Sequence, residues 1–114
     1  MPSKPSKTSV GRAVRIGELH VVRGSIIQYL EHEYPKTLPE DILLSVMQDR
    51  SDSPRFASHA KELMYLVQRG YVERIEGPFP GRDPGLILYR LTANGHMLAS
   101  GEIIDEHIAI STNE

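Results

Sequence analysis

The stretch from Ala60 to Gly101 constrains the fold most, because a helix, a β-hairpin and a second helix follow one another with almost no connecting chain. The helical pattern AKELMYLVQRG leads directly into the alternating segment YVERIE, and Gly70 between them is typical of a helix end. The loop GPFPGRDPG separates this strand from a second one, LILYRL, and six of its nine residues are Gly or Pro, which excludes regular structure. Thr92 then has the form of a helix cap. The stretch therefore predicts a hairpin held between two helices.

Two further helices are predicted before this stretch. The first runs from about Val14 to Glu33 and ends before Pro35, because the residue before a proline disfavours helical angles. Spacings of three and four define its buried face, which consists of Leu19, Val22, Ile26, Ile27 and Leu30. A capping box from Thr37 to Glu40 opens the second helix. The buried stripe of this helix is predicted to be Ile42, Leu43, Val46 and Met47.

The third helix is predicted from Pro54 to about Arg69, since Ser53-Pro54 is a strong helix-start signal. Leu63, Leu66 and Val67 define its inward face. The next inward position is left open between His59 and the pair Phe56 and Ala60. The outward set is then Arg55, Ser58, Lys61 and Glu62.

The predicted order of elements resembles that of a winged helix–turn–helix domain, as in bacterial transcription regulators of the MarR and PadR type. This order is helix, turn, helix, hairpin and short helix. The likeness covers about Arg12 to Gly101 and is carried by L-x-x-x-G-Y-V from Leu66 to Val72. Its sharpest piece is Tyr89-Arg90-Leu91-Thr92 followed by Gly95. A looser likeness is to small winged-helix proteins of Mu-like phages and prophages.

The resemblance implies a mainly α fold with a small β-hairpin: a three-helix core, a two- to three-stranded wing sheet and a short C-terminal helix. The corresponding organisation is a flexible basic N-terminal arm (1–11), a winged-helix domain (12–101) and an acidic, isoleucine-containing tail (102–114). Four isoleucines in the tail indicate that it docks somewhere, a second subunit being one option.

In the families that the chain resembles, the third helix enters the DNA major groove and the hairpin is the wing. The resemblance thus implies a small cytoplasmic transcription regulator that binds double-stranded DNA as a homodimer, and the looser likeness implies that this regulator is phage-related. Arg55 is the base-reading candidate, because arginine can bond guanine at two points. Arg50 and Lys61 suit phosphates, Ser58 lies on the same predicted face, and Arg82 is the wing-tip candidate for the minor groove.

The charge distribution leaves a second interpretation open. The net charge is −2, whereas DNA-binding domains tend to be basic. Residues 1–24 carry five cations against Glu18, or +4, and residues 102–114 carry four carboxylates and no cation, or −4. The overall acidity and Glu62 favour a protein–protein interaction module in which the third helix docks on a partner protein. For each candidate, a merely solvated surface charge is the competing explanation.

Enzymatic and metal-dependent functions are not expected. The chain has no Gly-rich phosphate loop, Ser-elbow or H-E-x-x-H pattern. Asp105-x-His107, with His96 upstream, is a fragment of a zinc pattern, but the second ligand pair is missing, so neither a metal nor another cofactor is predicted. The absence of cysteine fits a cytosolic protein, and no apolar run is long enough to span a bilayer.

Overall fold

A computed structural model describes residues 7–50 and 59–111. Within these ranges the chain forms four helices and a three-stranded antiparallel sheet in the order β1-β3-β2, so the fold is mixed α/β. The elements are α1 (Lys7–Glu33), β1 (Leu38–Pro39), α2 (Glu40–Arg50), α3 (His59–Gln68), β2 (Val72–Glu76), β3 (Ile87–Leu91) and α4 (Ala93–Ala99). No helix in the described part of the chain has both the length and the apolar character needed to cross a bilayer.

One hydrophobic core holds the helices and the sheet together. The C-terminal half of α1 contributes Ile26, Ile27 and Leu30, all of them fully buried. The other fully buried large side chains come from every later element except β1 and β2; they are Leu43, Leu63, Leu66, Tyr89, Leu91 and Leu98. The core thus covers the inward faces of α2, α3 and α4 at once, and these helices are fixed relative to the sheet.

The hairpin β2–β3 is confirmed, together with its predicted side-chain alternation. Val72 pairs with Leu91, and both side chains are buried, while Glu73 pairs with Arg90 on the opposite face. Successive side chains of a strand point to opposite faces, so a single register places the apolar set inward. β1 adds a third strand by pairing Leu38 with Tyr89.

The structure shows why Thr92 and Gly95, in the L-T-x-x-G segment after β3, are needed at the start of α4. Thr92 caps α4 by accepting a hydrogen bond from the Gly95 N–H at 3.1 Å, and its own hydroxyl donates to the Gly70 carbonyl at 2.7 Å. A Cβ on Gly95 would lie 2.1 Å from the carbonyl oxygen of Tyr71. Only glycine therefore allows α4 to pack this closely against the turn after α3. That turn uses the positive φ of Gly70, +84°.

One predicted helix boundary is wrong, and another lies outside the described residues. α1 begins at Lys7 rather than Val14, so the N-terminal arm predicted for 1–11 is helical from Lys7 onward. No proline interrupts residues 7–13, and Gly11, the one glycine among them, costs a helix only about 1 kcal/mol, so the helix can continue back to Lys7. The predicted start of the third helix at Ser53-Pro54 lies outside the described residues.

The capping box predicted at Thr37 is also wrong. Leu38 and Pro39 form the edge strand β1, where a proline without an N–H is tolerated, and α2 begins one residue later at Glu40. The Glu40 carboxylate accepts a hydrogen bond from the buried Tyr89 hydroxyl at 2.6 Å. On α2, Leu43 and Met47 are buried as predicted, but Ile42 is 48% exposed and does not belong to the buried stripe.

The tail docks on its own chain. Ile108 is 5% exposed and belongs to the core, and the Ala109 N–H donates to the His20 carbonyl of α1 at 3.0 Å. Gln28 of α1 exchanges two hydrogen bonds with the backbone of Ser111. Residues 107–111 therefore pack against α1, and the predicted tail is joined to the rest of the fold.

Candidate nucleic-acid interface

Helix α3 has a buried face and an exposed face. Glu62, Leu63 and Leu66 are buried against the core. The exposed residues are Ala60, Lys61, Met64 and Gln68, which we call the α3 outer face. Spacings of three and four residues place Lys61, Met64 and Gln68 in one row along the helix. This row is the surface that the described part of α3 presents to solvent.

Glu62 was predicted to point outward, and this is wrong. Its side chain is buried, and Arg23 Nε of α1 donates to Glu62 Oε1 at 2.8 Å. The Arg23 guanidinium carbon also lies 3.7 Å from the centre of the Tyr65 ring, which places the cation over the aromatic face. A charge-assisted bond of this kind satisfies a carboxylate that would be costly to bury alone. The α3 outer face consequently carries no carboxylate among the described residues.

The hairpin neutralises most of its own positive charge. Arg90 donates to Glu73 across the strands at 2.8 Å, and Arg74 forms an ion pair with Glu76 along β2. Arg82, in the loop between the strands, is exposed, and no carboxylate of the described residues pairs with its guanidinium. The neighbouring Asp83 accepts the Gly85 N–H at 2.9 Å, which closes the loop. Arg82 is thus the hairpin cation best placed for an external anion.

The DNA-contact candidates are only partly placed by the structure. Lys61 lies on the α3 outer face, and Arg82 lies in the hairpin loop. Arg50 is the last residue of α2. Arg55 and Ser58 lie outside the described residues. Ala60 is exposed and His59 is half-buried, which favours the helix rotation that turns His59 toward the body of the protein.

The tail is anchored next to α3 through Asp105. The Asp105 carboxylate accepts hydrogen bonds from the Arg69 guanidinium at 3.1 Å, the Tyr71 hydroxyl at 2.8 Å and the His107 N–H at 2.9 Å. Burial opposes ionisation, but these three donors outweigh it and lower the pKa of Asp105 below its ordinary value. Burial and the bond to Asp105 raise the pKa of Tyr71. A second arginine, Arg23, donates to the His107 carbonyl at 3.1 Å.

Sequence reasoning did not predict this arginine–tail network. The paired groups lie 34 to 84 residues apart in sequence, and no local pattern joins them. One signal was available: Gly24 lies in the middle of an otherwise well-formed helix, which often marks a close approach of backbone. The tail passes α1 at this residue, and a Cβ on Gly24 would lie 1.6 Å from the Ala109 carbonyl oxygen.

The two histidines of the zinc-like fragment, His96 and His107, contact other side chains of the fold. His96 stacks on Tyr34 with ring centres 4.4 Å apart and contacts Glu31 at 2.8 Å. His107 lies edge-on to His20 at 5.8 Å. In the described ranges no group of three or more His, Asp or Glu side chains is arranged to hold a metal ion.

The described side chains carry more negative than positive charge. Residues 16–48 and 59–111 contain seven Lys or Arg and twelve Asp or Glu, a balance of −5. The excess positive charge of the chain lies before residue 16, in Lys4, Lys7, Arg12 and Arg15. Comparison of the chain with protein-family models, with curated proteins and with solved structures gives no match.

Proposed function

We propose that this chain is a winged helix–turn–helix protein that binds double-stranded DNA as a homodimer and acts as a small transcription regulator. The observation that carries the proposal is the element order α1-β1-α2-α3-β2-β3 with sheet order β1-β3-β2. In this arrangement α3 is the recognition helix and the β2–β3 hairpin is the wing. The burial of Glu62 supports the proposal, because the carboxylate that argued against DNA on this helix points into the protein.

The contacts follow from the exposed groups. Lys61 and Gln68 lie on the α3 outer face, and these residue types bond phosphates and adenine edges respectively. Arg82 extends from the wing loop, where a cation reaches a narrow minor groove. Arg55 remains the base-reading candidate and Arg50 a phosphate candidate. Lys4, Lys7, Arg12 and Arg15 add positive charge that the described body lacks.

The test is a fluorescence-anisotropy titration against random duplex DNA at about 50 mM and about 200 mM salt. Binding that weakens steeply with salt supports phosphate contacts. Arg82→Ala is expected to reduce the slope of log K against log salt by about 1 for one lost phosphate contact. Arg90→Ala is the matched control, since this arginine lies in the same hairpin but is paired with Glu73. Equal effects of the two variants would contradict the assignment of Arg82.

One set of observations favours a protein partner instead. The balance of −5 in the described part disfavours phosphate, and Met64 on the α3 outer face and Ile42 on α2 are exposed. Apolar groups on an exposed helix row suit a protein surface. Absence of DNA binding at about 50 mM salt would make this interaction module the better proposal.

A further inference from the structure

A cleft, which we call the tail cleft, lies between the C-terminal end of α4 and the tail that follows it. Its volume is about 530 Å³, within the range of about 300–1,000 Å³ that small-molecule sites occupy. Leu98 and Ile108 are buried and form its floor. Ile103 and Ile110 line it and are half-buried, and Ile104 is 90% exposed at its mouth. Aliphatic side chains therefore line the tail cleft from the core to the solvent.

Hydrogen bonds fix both ends of the tail segment that forms the tail cleft. Gly101, with a φ of +86°, turns the chain after α4, and the Ile103 N–H then donates to the Met97 carbonyl at 3.2 Å. At the other end, the Ala109 N–H donates to the His20 carbonyl of α1 at 3.0 Å. The cleft is thus formed without a ligand, and a ligand that enters it has little of the chain to order.

The residues around the tail cleft favour an uncharged ligand. Asp105 is the one ionisable group among the described residues that line it, and its carboxylate already accepts hydrogen bonds from Arg69 and Tyr71. An anion would find no cation in this lining, and a cation would find a carboxylate that Arg69 has already neutralised. The described lining also holds no aromatic ring, so a flat ring has no stacking partner.

A second copy of the chain fits the tail cleft less well than a small molecule does. In a two-fold interface the same patch of both copies meets itself. Glu102 and Glu106 are exposed and adjoin the lining residues Ile103 and Asp105 in the chain, so this pairing would bring like charges together. A small uncharged molecule covers the aliphatic lining without that repulsion.

We propose that the tail cleft binds a small uncharged aliphatic molecule with one hydroxyl group, of the chemical class of medium-chain alcohols. The aliphatic chain lies against Leu98 and Ile108. The hydroxyl group stays at the mouth, where the exposed Ser100 and Ser111 provide polar partners. The tail cleft includes no residue of the α3 outer face or of the hairpin loop, so the proposal goes beyond DNA binding and does not depend on it.

Nuclear magnetic resonance of isotope-labelled isoleucine methyl groups tests the proposal, with 1-octanol as the probe. The methyl signals of Ile103, Ile104 and Ile108 are expected to shift and to saturate with a Kd below about 1 mM. Ile16 and Ile42 are internal controls, because both are exposed but neither lines the tail cleft. Their signals are expected not to follow the titration.

Charged analogues and one pair of variants define the ligand class and the place of binding. Octanoate and octylammonium carry the same chain with a charged head group, and each is expected to bind at least about tenfold more weakly than 1-octanol. Ile104→Asp adds a charge to the apolar mouth, so the Kd for 1-octanol is expected to rise at least about tenfold. Ile42→Asp on α2 is the matched control and is expected to leave this Kd unchanged. Both side chains are exposed, and far-UV circular dichroism checks that both variants fold.

Several results would overturn the proposal. They are the absence of saturating shifts with 1-octanol, equal shifts of the control isoleucines, equal affinity for octanoate, and equal loss of affinity in the two variants. Signals of the tail cleft that move when the ligand-free chain is diluted would assign the cleft to a second copy and would also overturn it. Because DNA is absent throughout, none of these outcomes bears on the DNA-binding proposal.

Discussion

Replacing Gly24 with alanine tests the docking of the tail on α1. In an ordinary helix interior this change stabilises by about 1 kcal/mol, because alanine is the better helix former. Here the added Cβ would lie 1.6 Å from the carbonyl oxygen of Ala109 and 2.6 Å from its carbon. Both atoms belong to backbone, so no side-chain rotation relieves the overlap. The tail has to leave its place.

The expected change in the free energy of unfolding follows from the contacts that a displaced tail no longer makes. Exposing Ile108 costs about 1.5–3 kcal/mol, and losing the hydrogen bond from Ala109 to His20 costs about 1 kcal/mol. The helix gain of about 1 kcal/mol offsets part of this. We expect Gly24→Ala to lower the free energy of unfolding by about 2 kcal/mol, a large share of the roughly 5–15 kcal/mol of a typical domain.

Urea unfolding followed by circular dichroism at 222 nm measures this change, and Gly17→Ala is the matched control. Gly17 lies on the same helix, and a Cβ there meets nothing within 4 Å, so we expect stabilisation by up to about 1 kcal/mol.

Removing residues 102–114 completes a double-mutant cycle. Without the tail, Gly24→Ala has nothing to displace and is expected to stabilise as Gly17→Ala does. The docking argument fails if Gly24→Ala stabilises the full chain, or if it destabilises the truncated chain as strongly as the full one.

Three further predictions concern individual side chains. Arg55→Ala is expected to cost roughly 1–3 kcal/mol of discrimination between operator and random DNA in binding titrations; unchanged discrimination would remove Arg55 as a base reader. Glu62→Ala leaves Arg23 without its carboxylate, and the free energy of unfolding is expected to fall by about 3 kcal/mol; an unchanged urea midpoint would mean that the pair stabilises nothing. The lowered pKa of Asp105 means that its ionised form stabilises the fold above its ordinary pKa of 3.8, and that this contribution disappears as the pH falls through the folded-state pKa. Wild type is therefore expected to unfold at higher urea than Asp105→Asn at about pH 7, with the difference shrinking toward about pH 3; a constant difference would contradict the pKa argument.

Local patterns predicted the hairpin and the helices beside it. Alternation in YVERIE and LILYRL predicted the strands β2 and β3, and Gly70 and Thr92 marked the neighbouring helix ends. These features depend on residues close together in sequence. A turn, a cap or an alternating strand has the same physical cause in any protein, so the sequence carries the signal by itself.

The start of α2 and the extent of its buried face were less predictable from the sequence. A capping box and an edge strand compete for Leu38 and Pro39, and only the presence of β3 beside them decides for the strand. The same holds for Ile42, whose helical spacing suggests burial although its side chain is exposed.

For the candidate site, sequence alone named Lys61 and Arg82 and determined the charge polarity of the chain, since residue type and the order of charges do not depend on the fold. Tertiary structure decided that Glu62 is buried on Arg23 and that the tail packs on α1. Tertiary structure also decided that Asp105 binds Arg69 and Tyr71. Burial and ion pairing join residues tens of positions apart, and their strength depends on distances that only the packed chain defines.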